Sequence, residues 1–200
     1  MTGQPRGQIH ADDVSAAEVV QLLRERRVVL ERGLSEAELA RAERRHGVRF
    51  ARDHRELLAL ALPVGDGWYD WRARADKGVR RAVRRPLEGV LFDVENDVFW
   101  PRSWGGRPGS AAARLDIVER QVGTWPQLVP LYGHRYLPAA PFGPGAPVFS
   151  VHQTDVVIYG IDLLDYVARE FGTTRSIPAP DLETDGSAPW SLLAFQEEVP

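Results

Sequence analysis

Leu34-Ser35-Glu36-Ala37-Glu38-Leu39 is a helix start written out in full. The Ser35 hydroxyl is placed to accept the Glu38 N–H, the Glu38 carboxylate to accept the Ser35 N–H, and Leu34 and Leu39 bracket the pair as a hydrophobic staple. The helix this opens is predicted to stop at Gly47, which adopts the left-handed conformation without strain, after which Val48 and Phe50 turn inward. Asp53-x-x-Glu56 then reads as the cap of a second helix. Its apolar run is Leu57, Leu58, Leu60, Ala61 and Leu62, and Pro63 is its stop.

Upstream, Ser15-x-x-Glu18 is another capping box, and Val19, Val20, Leu22 and Leu23 form the apolar stripe of a short helix ending near Arg27, followed by an extended segment at 28–30. Downstream, 64–67 is a loop and Trp68, Tyr69 and Trp71 form an aromatic cluster predicted to cap the core. Gly89-Val90-Leu91-Phe92-Asp93-Val94 reads as a strand, Asn96-Asp97 as a turn, and 98–100 as the returning strand stopped by Pro101. After a Gly- and Pro-rich loop at 102–110, residues 111–122 have the spacing of a helix, and 129–132 and 135–137 read as strands around Gly133-His134. The stretch 138–147 is a solvent loop. In the last hairpin a Thr154-Asp155 turn sets Val151 opposite Ile158 with Phe149 on the same apolar face, and places Ser150, His152, Val157 and Tyr159 on the other, mixed face. Asp162 caps a final helix through Phe171, closed by Gly172.

The fold class is therefore α+β, with N-terminal helices packed on a mostly antiparallel sheet and a helix after the last hairpin. Residues 1–172 form one domain. Residues 173–188 read as a linker, and Trp190, Leu192, Leu193 and Phe195 as a terminal helix docking back.

Composition narrows the function. The 200 residues carry a net charge of −3, with 44% hydrophobic and 26% charged side chains, which suits a globular protein and sets up no overall field for nucleic acid or an anionic membrane. There is no cysteine, so disulfides, cysteine zinc sites and thiol nucleophiles are all excluded, and a reducing cytoplasm is the expected location. Arg6, His10, Asp12 and Asp13 interrupt the N-terminal stretch where a secretory leader would be apolar, and no run approaches the roughly 18 apolar residues of a membrane span.

No constellation of residues specifies a catalytic step. Asp93-Val94-Glu95-Asn96-Asp97 alternates acids as a calcium loop does, but Val98 stands where that loop needs glycine and Trp104 where it needs glutamate. Ser150, His152 and Asp155 have the composition of a triad without a Gly-x-Ser-x-Gly elbow. The five histidines include no i, i+4 pair on one helix, so no metal, cofactor or catalytic residue is assigned. Arg72, Arg74, Lys77, Arg80, Arg81, Arg84 and Arg85 concentrate positive charge, but no aromatics interleave with them as a single-strand nucleic-acid groove requires, and they read as a solvated face. Aromatic residues and arginine dominate protein-binding hot spots, so Trp71, Trp104, Tyr132, His134, Arg135, His152 and Tyr159 are the candidate partner-binding residues.

Gly33-Leu34-Ser35-Glu36-Ala37-Glu38-Leu39, Glu43-x-x-His46-Gly47-Val48-Arg49-Phe50 and Asp53-x-Arg55-Glu56-Leu57-Leu58 together resemble the opening of the SUKH superfamily. That superfamily includes the yeast cell-wall assembly regulator and many bacterial immunity proteins. The stretches 89–94, 129–138 and 147–155 are similar to later blocks of its actinobacterial members, and the resemblance covers about 34–171. It implies a non-catalytic α+β domain that binds another protein, in many members a toxin that it neutralises. The alternative it leaves open is an intracellular scaffold or regulatory module.

Overall fold

The computed structural model describes residues 16–73, 77–143, 145–172, 188–195 and 199. Helix α1 (Ala16–Glu25) is followed by strand β1 (Val29–Arg32), helices α2 (Glu36–His46) and α3 (Arg52–Leu60), and strand β2 (Ala61–Val64). Ser15 of the first capping box lies outside the described residues. The second box is present in both directions: the Ser35 N–H donates to Glu38 Oε2 at 2.8 Å, and the Glu38 N–H to Ser35 Oγ at 3.3 Å. Leu34 and Leu39 are both buried beside it. Gly47 closes α2 at φ 65°, its N–H donating to the Glu43 carbonyl.

The start and the end of α3 both differ from the sequence reading. Ala51 is the N-cap and offers no side-chain acceptor. Asp53 is buried instead, and its carboxylate accepts the Gly145 N–H at 2.7 Å, which pins the 138–147 stretch against α3. That stretch is no simple solvent loop: Ala146 and Pro147 are buried in it. At the other end, α3 stops at Leu60 and not at Pro63. Ala61–Val64 pairs antiparallel with β1, Leu30 opposite Pro63, in a two-stranded sheet where every strand is an edge and a missing N–H is tolerated. Extension sends successive side chains to opposite sides, so Ala61 joins one core cluster and Leu62 another.

The largest correction is helix α4 (Lys77–Glu95), which occupies the place of the expected hairpin at 89–100. Val79, Ala82, Pro86, Val90, Asp93 and Val94 bury along one side of it at helical spacing. Pro86 lies inside the helix and has no N–H to give the carbonyl four residues back. The Tyr136 hydroxyl fills the gap, donating to the Ala82 carbonyl at 3.1 Å. Further along, a Cβ on Gly89 would stand 2.6 Å from Gln153 Cα, so only glycine lets the helix lie this close.

After a 3₁₀ turn (Arg102–Trp104) and helix α5 (Ala111–Val122), strands β3 (Leu128–Tyr132), β4 (Arg135–Pro138), β5 (Val148–His152) and β6 (Asp155–Gly160) form an antiparallel meander in sequence order. The last turn is Gln153-Thr154, one residue earlier than expected, and it sets Val151 opposite Val156 and Phe149 opposite Ile158. The two faces are unchanged by that shift, because moving the pairing by two residues preserves the alternation of side chains. Asp93 explains the turn's position: its carboxylate accepts both the Thr154 N–H at 2.9 Å and the Thr154 hydroxyl at 2.6 Å.

Both faces of the sheet are covered. Tyr136, Phe149, Val151 and Val156 pack against α4, α5 and the short helix α7 (Trp190–Ala194). Leu137 and Val148 pack on the other side against α1, α3 and helix α6 (Leu163–Glu170), whose N-cap Asp162 accepts the Asp165 N–H at 2.7 Å. A third cluster joins α2, α3 and Val79 around Trp71. The residues expected to form a linker fall almost wholly within 173–187, outside the described residues. Trp190 beyond them is buried, and its indole N–H donates to the Pro126 carbonyl at 2.7 Å.

Candidate functional site

Four of the seven candidate residues, Tyr132, His134, Arg135 and His152, share one end of the sheet, and Tyr159 joins them from farther along β6 through Arg135. In the β4–β5 pairing Arg135 stands opposite Ser150, and the Val151 N–H donates to the His134 carbonyl at 3.0 Å. The Gly133-His134 turn therefore lies alongside His152, and both hairpin turns emerge at the same edge. Tyr132 precedes this turn, and Tyr159 lies on β6, next to β5.

Arg135 organises the group. Its guanidinium carbon stands 4.0 Å from the Tyr159 ring centroid, Nε donates to Glu170 Oε2 at 3.1 Å, and Nη1 donates to Ser150 Oγ at 3.1 Å while also meeting the His134 ring. Stacking, an ion pair and two polar contacts hold one nearly buried side chain from four directions. Above it, His134 and His152 are exposed and Tyr132 is half-buried. Partial burial, then the Arg135 charge, lowers the His134 pKa, with Glu170 opposing, so the imidazole is neutral at neutral pH.

An aromatic wall extends the group. Tyr132 meets Trp68 at 5.0 Å between centroids, Trp68 stacks on Phe171 at 5.9 Å, and Tyr132 meets Phe171 at 5.6 Å. The Gly133 carbonyl accepts from the Tyr69 hydroxyl and, at 3.2 Å, from Arg85 Nη1, so the turn is tied to the 65–73 loop and to α4. Ser150 takes its hydrogen bond from Arg135, with His152 two residues along the same strand and Asp155 paired across from His152 in register.

Trp71 and Trp104 lie apart from this end and inside the protein. Trp71 is 2% exposed, edge-on to Phe50 at 4.8 Å, and Trp104 is 7% exposed among Phe99, Trp100 and Trp125. Glu170, Trp68 and Phe171 complete the site without having been singled out for it. Glu170 is 35 residues from Arg135, and no local spacing signals such a pair. Among the described residues no group of three or more histidine or carboxylate side chains is placed to hold a metal ion, and no helix is long and apolar enough to cross a membrane. No family model matches the chain, and neither a curated protein nor a solved structure matches it.

Proposed function

We propose that this chain is a non-catalytic, cytoplasmic protein-binding domain of SUKH type, acting as an immunity protein that neutralises a toxin partner. The observation that carries the reading is the Arg135 cluster. A guanidinium locked against Tyr159, Glu170 and Ser150 also meets the exposed His134, and exposed His152 and half-buried Tyr132 lie at the same end of the sheet. Groups held in place before binding lose little conformational entropy on association, and aromatic and arginine side chains are the usual energetic centres of an interface. The family resemblance supplies the class of partner.

Affinity capture with this chain as bait, followed by co-expression of what is captured, tests the reading. The expected result is a toxin domain whose lethality the chain suppresses. A His134→Ala, His152→Ala double variant is expected to weaken the complex about tenfold or more with melting unchanged, and Tyr132→Ala to weaken it while also lowering the melting temperature, since its ring packs on Trp68 and Phe171. Recovery of wall-synthesis regulators or housekeeping enzymes without suppression of any toxin would favour the scaffold alternative. Catalytic turnover abolished by His152→Ala would overturn the non-catalytic reading.

A further inference from the structure

Helix α4 presents a second surface that the Arg135 cluster does not use. At 3.6 residues per turn, Lys77, Arg81, Arg84, Glu88 and Phe92 fall within an arc of about 80° and run about 22 Å along the helix. All five are exposed, and Phe92, at 52%, is among the most exposed large apolar residues of the described chain. Arg80 flanks the strip, and a shallow recess of about 480 Å³ lies between Lys77, Arg80, Arg81, Arg84 and Glu88.

Two features bear on these cations. Some arginines elsewhere meet carboxylates, as Arg32 meets Glu38, Arg72 meets Glu31 and Arg135 meets Glu170, while others, such as Arg41 and Arg44, share with the strip the lack of an ion pair among the described residues. Lys77, Arg80 and Arg81 make no ion pair among the described residues, and Arg84 has only Glu88 one turn on. Lys77 and Arg80 also stand in the first turn of α4, where the helix dipole is positive and opposes them, and none of the described residues of that turn is acidic. Positive charge placed against the dipole and left unpaired on a chain of net charge −3 is complementary to an external anion.

We propose that this strip docks an acidic protein segment, a helix or loop whose carboxylates face Lys77, Arg80, Arg81 and Arg84 and whose apolar side chain covers Phe92. Its biological partner rests on the protein-binding reading above; the acidic chemistry does not. A nucleic-acid backbone fits less well. Glu88 interrupts the strip and Glu95 stands exposed beyond it, where a continuing line of phosphates would be repelled. An exposed aromatic at the end of a cationic stripe instead matches the pairing of charge and apolar contact found in protein interfaces.

The test uses the full chain and three probes: a helical peptide of about 18 residues with Glu at i, i+3, i+4 and i+7 and a Leu one turn on, its Gln analogue, and a DNA duplex of about 20 base pairs. Titration by fluorescence anisotropy at about 50 mM salt is expected to show saturable binding of the Glu peptide, and binding of the Gln analogue and the duplex weaker by about tenfold or more. An Arg81→Glu, Arg84→Glu variant and, separately, Phe92→Ala are expected to weaken the Glu peptide about tenfold and severalfold, with circular dichroism unchanged. Equal affinity for the two peptides, no effect of charge reversal, no saturable peptide binding, or tighter binding of the duplex would each overturn the proposal. Because the probe is synthetic, these outcomes do not depend on whether a toxin is ever captured.

Discussion

His54 ties the stability of the fold to pH. It is 1% exposed, edge-on to Phe50 at 5.0 Å and to Trp71 at 6.1 Å, and its Nδ1 has no hydrogen-bond partner. Burial among these rings holds its pKa down to about 3, so the folded protein keeps it neutral. An unfolded histidine takes up a proton near pH 6.5, hence the unfolded state binds more protons below that value and stability falls as the pH drops from 6.5 toward 3. At pH 4 the loss attributable to this residue is about 3 kcal/mol. Denaturant unfolding of wild type and His54→Leu across that range is expected to show the difference shrinking in favour of the variant as the pH falls; parallel curves would contradict it. Asp53 beside it acts in the opposite sense, burial raising its carboxyl pKa, so the comparison of variants isolates the histidine. Arg135 makes the second residue-level prediction. Arg135→Ala leaves a poorly solvated Glu170 carboxylate without its cation, and is expected to cost about 2–3 kcal/mol. Arg135→Lys is expected to restore little of it, since an ammonium lacks the planar face that lies on Tyr159. Equilibrium unfolding of the two variants measures both.

At the scale of elements, the proline in α4 and the tyrosine of β4 are one device. Tyr136→Phe is expected to leave the Ala82 carbonyl unsatisfied, at a cost of about 1–3 kcal/mol. In a Pro86→Ala background the new Ala N–H reaches that carbonyl, so the same substitution is expected to cost about 1 kcal/mol less, and a double-mutant cycle measures this coupling. The same helix shows where sequence reading succeeds and fails. The α2 cap and its glycine stop, the Asp162 cap and the two later hairpins were legible because each is written within three to five residues. Six residues, Gly89 to Val94, carry β-branched and aromatic side chains that suit a strand as readily as a helix. Their 3.6-residue period appears only when the window reaches back through Pro86 to Val79, across arginines that conceal the apolar side. Asp53 differs for a related reason: an acid near a helix start resembles a cap locally, while its carboxylate accepts from Gly145, 92 residues away. In the site, the strand pattern places Tyr132, His134, Arg135, His152 and Tyr159 on adjacent hairpins, but does not give the burial of Arg135 among them. The burial of Trp71 and Trp104, and the arrival of Glu170 at Arg135, depend on tertiary packing that no local pattern records.

At the scale of the whole molecule, three apolar clusters surround one meander, and α4 feeds two of them through Val79 on one hand and Val90 and Val94 on the other. The C-terminal helix belongs to this core: Trp190 meets Trp125 edge-on at 4.9 Å. Trp190→Ala is expected to cost about 3 kcal/mol and lower the melting temperature by about 10 °C, in a transition that stays single if the clusters are cooperative. Calorimetry distinguishes that from a separate early melting of the terminus. The Gly133 turn has a wider consequence. Its carbonyl is gripped by Tyr69 and Arg85, and its N–H donates to the Gly67 carbonyl at 2.8 Å. A latch held by a loop and a helix opens only when both let go, so amides at 65–73, at 128–138 and along the first half of α4 are expected to exchange deuterium at a common rate. A protein seated on the turn would slow all three together, making the charged helix a reporter of occupancy at an edge it does not itself form.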